Sequence, residues 1–130
     1  MEKTVTTIKG LKKGSFVLID EVPCKVESVS ITKSGKHGAA KGRVDAIGLF
    51  DGRRRSLVKP ADTNVDVPII LKKKAQVLVI SGEKAQLMDL TDYSQFELDV
   101  PEDLKGKLIS GEEVSYYEVG SVRTLKQLKG

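Results

Sequence analysis

The apolar residues of this chain occur in short runs that glycine, proline or charged residues interrupt every few positions. The runs are rich in β-branched residues and too short for helices, as Ser15–Ile19 shows. Within Cys24–Thr32 the apolar residues switch from one strand face to the other, which predicts a β-bulge between Val26 and Val29. Only Pro101–Leu104 has the pattern of a short helix, because proline at its start is followed by two acidic residues. We therefore predict an all-β protein.

The predicted strands fall into two groups, and we place the boundary at the lysine run Lys72–Lys74. Residues 1–73 contain five short predicted strands with glycine-rich turns, which is typical of a small SH3-like barrel. A two-residue hairpin is predicted at Asp51-Gly52. Residues 74–130 contain strands, the short helix and further strands, which fits a five-stranded OB-fold barrel. We expect Cys24, the single cysteine, to lie reduced in the first β core.

One segment, between the predicted strands Lys25–Thr32 and Arg43–Phe50, contains no large apolar residue. This segment, Lys33–Gly42, holds three glycines, three lysines and the only histidine of the chain. Glycines allow the positive φ angles that a turn needs. Because the loop has nothing to bury, it should project into solvent, and we predict that Lys36 is its tip. An exposed cationic loop of this kind favours a polyanionic partner.

Charge is distributed unevenly between the two predicted domains. Residues 1–73 hold 15 Lys/Arg and 8 Asp/Glu, a net charge of +7. Residues 74–130 hold 7 Lys/Arg and 10 Asp/Glu, a net charge of −3. The asymmetry favours contact of the first domain with nucleic acid, although chance segregation of surface charge is the alternative.

Composition restricts the class of protein. Hydrophobic residues make up 39% and charged residues 31% of the chain, which is ordinary for a globular protein. No apolar run approaches the roughly 18 residues that a membrane helix requires. The segment Met1–Val5 lacks the apolar core of a secretory signal. We expect a cytoplasmic protein that does not contact membranes.

The cationic loop does not fit a nucleotide-hydrolysing P-loop. That motif requires glycine where Ser30 stands, Ser or Thr where His37 stands, and a helix after the loop. His37 also lacks partner ligands for a metal and lacks a nucleophile or orienting acid for catalysis. We therefore expect no metal site and no catalytic residue. A histidine that contacts RNA, or one that is exposed without a role, remains open.

Two further groups of residues are candidates for RNA contact. Arg53, Arg54 and Arg55 are suited to RNA phosphates, but a basic run is also typical of a solvated face. The tyrosines are suited to stacking on bases, as in other OB-fold domains, although we expect packing within the protein for at least two of them. These tyrosines are Tyr93, Tyr116 and Tyr117.

The segment Ser34–Lys41, read Ser-Gly-Lys-His-Gly-Ala-Ala-Lys, resembles the signature loop of the translation initiation factor 5A family. The stretches Val22–Val26 and Asn64–Pro68 also fit this family, which is homologous to bacterial elongation factor P. The resemblance extends over essentially the whole chain. Ala39 stands where eukaryotic members usually carry a second histidine, which favours the archaeal type.

This resemblance implies an SH3-like domain followed by an OB-fold domain. It implies that Lys36 is converted to deoxyhypusine or hypusine, with an aminobutyl group from spermidine added by deoxyhypusine synthase, and that the protein needs no other cofactor. The partners would be ribosomal RNA and peptidyl-tRNA on the ribosome, where a monomeric, non-enzymatic factor assists peptide-bond formation at proline runs and supports termination. The implied RNA-binding loop comprises Lys33, Ser34, Gly35, His37, Gly38 and Lys41. The alternative is a general two-barrel RNA-binding protein in which Lys36 stays unmodified.

Overall fold

The computed structural model describes residues 2–33 and 40–128. These residues form an all-β protein, as predicted from the sequence. The strands are β1 (Lys3–Thr7), β2 (Phe16–Ile19), β3 (Val22–Thr32), β4 (Lys41–Gly48), β5 (Arg54–Pro60), β6 (Asn64–Pro68), β7 (Ile70–Ser81), β8 (Lys84–Asp89), β9 (Gln95–Asp99), β10 (Glu113–Val119) and β11 (Val122–Thr124). Two single-turn 3₁₀ helices, η1 (Ile8–Gly10) and η2 (Glu102–Leu104), complete the elements. No helix in the described ranges has the length and apolar character needed to cross a bilayer.

The chain divides into two compact units between Ile69 and Ile70. The boundary predicted from the sequence instead lies within the lysine run, between residues 73 and 74. These lysines lie within β7, where Lys72, Lys73 and Lys74 pair with residues of β10. The residues Ile70–Lys73 therefore belong to the second unit.

The first unit contains a four-stranded antiparallel sheet, ordered β2-β3-β4-β5, and a two-stranded ribbon of β1 and β6. Register shifts between Val26 and Ser28, which confirms the predicted β-bulge. The core lies on one face of the sheet and includes Val44, Ala46 and the fully buried Cys24, whose thiol pKa is raised by burial. The location of Cys24 in this β core confirms the prediction.

The turn between β4 and β5 differs from the predicted two-residue hairpin. Strand β4 ends at Gly48 and β5 begins at Arg54, so the connection is longer than Asp51-Gly52 alone. Leu49 is buried and its N–H donates to the carbonyl of Pro23, which draws the chain back towards the core. The strand predicted to end at Phe50 therefore stops two positions earlier.

The second unit is an antiparallel sheet ordered β11-β10-β7-β8-β9, and it curls into an almost closed barrel. Its ends approach where the Arg123 guanidinium on β11 lies 4.5 Å from the ring centre of Phe96 on β9. The predicted helix is the single turn η2, and Pro101 precedes it. The last strand ends at Thr124, and Leu128 beyond it is buried.

Candidate nucleic-acid interface

The predicted RNA-binding loop connects two strands that pair with each other. In the register of β3 and β4, Thr32 lies opposite Lys41, so the connection joins the end of an antiparallel hairpin. Lys33 and Lys41 belong to the described residues. Ser34, Gly35, Lys36, His37 and Gly38 lie outside them, so the placement of Lys36 at the tip stays a prediction.

The base of this hairpin is fixed on the side of the core. The N–H of Ala61 donates to the carbonyl of Ala40 at 2.8 Å, and the N–H groups of Ile8 and Lys9 donate to the turn after β5. Gly42 allows Ile8 to pack against the strand, because a Cβ at this position would overlap Ile8 Cγ2. Since Ile8 is fully buried, the strand cannot shift here without disturbing the core.

The opposite, outer face of the hairpin is tied by a polar network around Asp45. Its carboxylate accepts hydrogen bonds from Ser56 Oγ at 2.6 Å and Ser28 Oγ at 3.2 Å, so it links three strands. Arg43 donates to both carboxylate oxygens of Asp45 at 3.2 Å. The hydrogen bond from Ser56, followed by that from Arg43, lowers the pKa of Asp45 below its ordinary value. Contacts on both faces therefore tie the hairpin to neighbouring elements of the first unit.

Three exposed lysines lie at the loop end of the sheet, and we call Lys33, Lys41 and Lys59 the lysine end. They stand just after β3, at the start of β4 and near the end of β5, where Lys59 lies opposite Gly42. Among the described residues, none of the three has an ion-pair partner. Sequence reasoning did not single out Lys59. Its signal was positional, because only the register of β5 against β4 brings it opposite Gly42, at the start of β4.

The arginine run lies elsewhere, and we call Arg53, Arg54 and Arg55 the arginine end. Arg54 lies opposite Ile47, six positions along β4 from Lys41, which corresponds to about 20 Å. Arg53 immediately precedes β5, and within residues 2–33 and 40–128 its side chain makes no ion pair. The structure therefore does not bring the arginine run together with the lysines that flank the loop.

Two of these arginines use their charge within the protein. Arg54 Nη1 lies 3.0 Å from Glu27 Oε2. Arg55 donates through two nitrogens to the two carboxylate oxygens of Asp51, at 3.1 and 2.8 Å. These hydrogen bonds, with a further one from the Arg53 N–H, lower the pKa of Asp51 to about 2.

The three tyrosines separate as expected. Tyr116 and Tyr117 are buried, whereas Tyr93 is 66% exposed, which confirms that at least two tyrosines pack within the protein. The Tyr116 hydroxyl donates to the buried carboxylate of Asp89, and this hydrogen bond is the main cause of the lowered pKa of Asp89. The buried rings of Tyr116 and Tyr117 are not available for stacking on bases. Among the residues that the structure describes, no three His, Cys, Asp or Glu side chains are grouped as metal ligands.

Known proteins resemble this chain over nearly all of its length. Residues 3–63 match the sequence family described as "Translation initiation factor 5A-like, N-terminal". The chain is 59% identical to translation initiation factor 5A of Methanocella arvoryzae over 88% of this chain and 89% of that protein. It is 47% identical to the same factor of Methanothermobacter thermautotrophicus over 100% of both chains.

Solved structures of similar proteins share the fold of this chain. "Eukaryotic translation initiation factor 5A from Methanococcus jannaschii" is 42% identical and superposes with a TM-score of 0.85 over 94% of this chain and 91% of that one. An initiation factor 5A family protein from Naegleria fowleri is 29% identical, with a TM-score of 0.77 over 100% of both chains. The units of this chain are accordingly an SH3-like domain and an OB-fold domain. The identity over full length, the matched amino-terminal half and the shared fold show that the chain belongs to the translation initiation factor 5A family.

Proposed function

We propose that this protein is a ribosome-binding translation factor whose Lys36 carries an aminobutyl group derived from spermidine. The observation that carries the proposal is the paired hairpin of β3 and β4, which leads into the family's signature loop with the exposed Lys33 and Lys41 on either side. Family membership supports a role in translation.

The proposed modification forms one carbon–nitrogen bond, breaks another and transfers one proton. Lys36 Nζ forms a bond to a carbon of the aminobutyl unit, while the bond from that carbon to the secondary nitrogen of spermidine breaks. The proton lost by Nζ leaves with 1,3-diaminopropane, so the transfer involves no net oxidation or reduction. Deoxyhypusine synthase would be the modifying enzyme. The product is a longer side chain with two nitrogens that can each be protonated.

A longer dication is suited to RNA in a way that unmodified lysine is not. It can donate charge-assisted hydrogen bonds to phosphate and ribose oxygens of peptidyl-tRNA. Lys33 and Lys41 would neutralise phosphates on either side of the loop, and His37 lies next to the modified residue in sequence. The protein would then hold peptidyl-tRNA in a productive geometry at proline runs and during termination. This help is given by positioning, so the protein needs no catalytic group of its own.

The alternative function is a general RNA-binding module with unmodified Lys36. The exposed lysine end favours it, because these lysines can bind phosphates without any modification. In that case, affinity would be spread over many basic residues and would not depend on Lys36 in particular.

The substitution Lys36→Arg tests the proposal, because arginine retains the positive charge but does not accept the aminobutyl group. A reconstituted translation reaction is supplied with ribosomes and with protein that has been treated with deoxyhypusine synthase and spermidine. We expect Lys36→Arg to abolish the stimulation of a reporter with a proline run, while a proline-free reporter is unaffected. Lys33→Arg is the matched control and should retain most of the stimulation. Normal stimulation by Lys36→Arg would refute the proposed function.

A further inference from the structure

We infer that Lys59 is a further RNA-binding residue, and that Lys41 and Lys59 bind two separate phosphates on opposite faces of the hairpin. The inference rests on the proposed function, because it assumes that the loop end of this sheet meets RNA. It concerns only residues that the structure describes.

The register of the sheet assigns the two lysines to opposite faces. Lys41 lies opposite Thr32 and Pro60, whereas Lys59 lies opposite the next residue of β4, Gly42. Side chains of directly opposed residues share a face, and successive residues alternate between faces. Lys41 and Lys59 therefore project to different sides of the sheet.

Residues farther along β4 show which face of the sheet each lysine occupies. Asp45 has the same parity as Lys41 and is hydrogen-bonded to Ser28 and Ser56 on the outer face. Val44 has the same parity as Gly42 and lies in the core. Lys41 consequently belongs to the outer face, and Lys59 belongs to the face that covers the core, at the level of Gly42, where Ile8 packs.

In the described part of the chain, no carboxylate forms an ion pair with Lys41 or Lys59. The two acidic residues nearest to them in sequence and register are used by other cations. Asp62 pairs with Lys9 at 2.5 Å, and Asp45 pairs with Arg43. Among the described residues, no carboxylate therefore competes with an RNA phosphate for the ammonium group of Lys59.

The backbone near Lys59 is held in place relative to the start of β4. The next residue but one, Ala61, donates its N–H to the carbonyl of Ala40, which directly precedes β4. A lysine carries its charge at the end of a flexible side chain. With its backbone fixed, Lys59 can still move its ammonium group to follow a phosphate whose position varies slightly. With one cation on each face, RNA backbone would lie on both sides of the hairpin end.

The salt dependence of binding tests this arrangement. The plot of log K against log salt has a negative slope, and removing the cation that neutralises one phosphate makes this slope less steep by about 0.7 to 0.9. Affinity for purified ribosomes that hold peptidyl-tRNA is measured between about 50 and 200 mM KCl at fixed magnesium. We expect Lys41→Gln and Lys59→Gln each to reduce the slope by about this amount, and the double variant by about twice as much. Lys25→Gln is the control, because Lys25 is an exposed lysine at the level of Ile47, about 20 Å along the sheet, and should leave the slope unchanged.

Two other results would contradict the inference. An unchanged slope for Lys59→Gln would show that Lys59 binds no phosphate. A double variant with the slope of a single variant would show that both lysines serve one phosphate, and would overturn the two-face arrangement. The mass of the Lys36 peptide in protein purified from its native source separates this inference from the proposed function. If Lys36 is unmodified but the slopes fall as expected, the proposed function fails and the phosphate sites stand.

Discussion

The lysine end and the arginine end of the first domain are both positively charged, but they differ in how far their charges are paired within the domain. Lys33, Lys41 and Lys59 are exposed and make no ion pair within the described ranges, whereas Arg54 and Arg55 each pair with a carboxylate of the same domain. The regions are about 20 Å apart on one sheet. A net charge of +7 over residues 1–73 therefore overstates the charge that is free to meet a partner, because part of it stabilises the fold.

The chemistry of the side chains accounts for the difference. The planar guanidinium of Arg55 matches both oxygens of Asp51, and this bidentate geometry closes the turn after β4. A lysine ammonium has no such geometry and is strongly hydrated, so it remains available to phosphates. We expect substitution of Arg55 to change stability and substitutions at the lysine end to change binding.

The largest effect on stability should come from the glycines of β4. Gly42→Ala is expected to lower the free energy of unfolding by about 1–3 kcal/mol, because the new Cβ overlaps the fully buried Ile8. Gly48→Ala is expected to cost less, since its Cβ overlaps the carboxylate of Asp51, a partly exposed side chain that can move. Urea unfolding of both variants measures the difference. A larger loss for Gly48→Ala would mean that the arginine end, and not the packing against Ile8, is the stiffer part of the sheet.

A smaller effect should distinguish the two paired arginines. Arg55→Gln should lower the urea midpoint, because it removes the bidentate partner of Asp51. Arg54→Gln should change the free energy of unfolding by less than about 0.5 kcal/mol, since the Arg54 side chain is 78% exposed and such pairs contribute little. Neither variant should reduce the salt slope of ribosome binding. A reduced slope for either would contradict the division of roles between the two ends.

The smallest effect should be a pH dependence that originates at Asp51. Its pKa is lowered from 3.8 to about 2 in the folded protein, so the ionised form is favoured by folding. This stabilisation is complete above the ordinary pKa and is lost as the pH falls towards 2. The difference in stability between the wild type and Asp51→Asn should therefore shrink from about pH 5 to about pH 2. A difference that is constant over this range would show that the pair with Arg55 does not act through the charge of Asp51.

The sequence predicted those features that depend on local pattern. The all-β class, the bulge after Val26 and the burial of Cys24 follow from the alternation of apolar residues and from turn signals within a few positions. The signature loop was also visible locally, because a segment without large apolar residues lies between two strand patterns.

Features that depend on pairing between distant residues were not predicted. The partner of Arg54 is Glu27, which lies on β3 and is distant in sequence. The position of Lys59 opposite Gly42 follows from the register of β4 and β5. The inclusion of Lys72 and Lys73 in β7 follows from pairing with β10, which overrides the linker-like composition of that run.

The mass of the peptide that contains Lys36, obtained from protein purified from its native source, tests the central claim most directly. We predict an increase equal to one aminobutyl group on that peptide, and one further oxygen atom would identify hypusine. An unmodified Lys36 in protein that is active in translation would contradict the account, and would favour a general RNA-binding module whose affinity comes from its unmodified lysines.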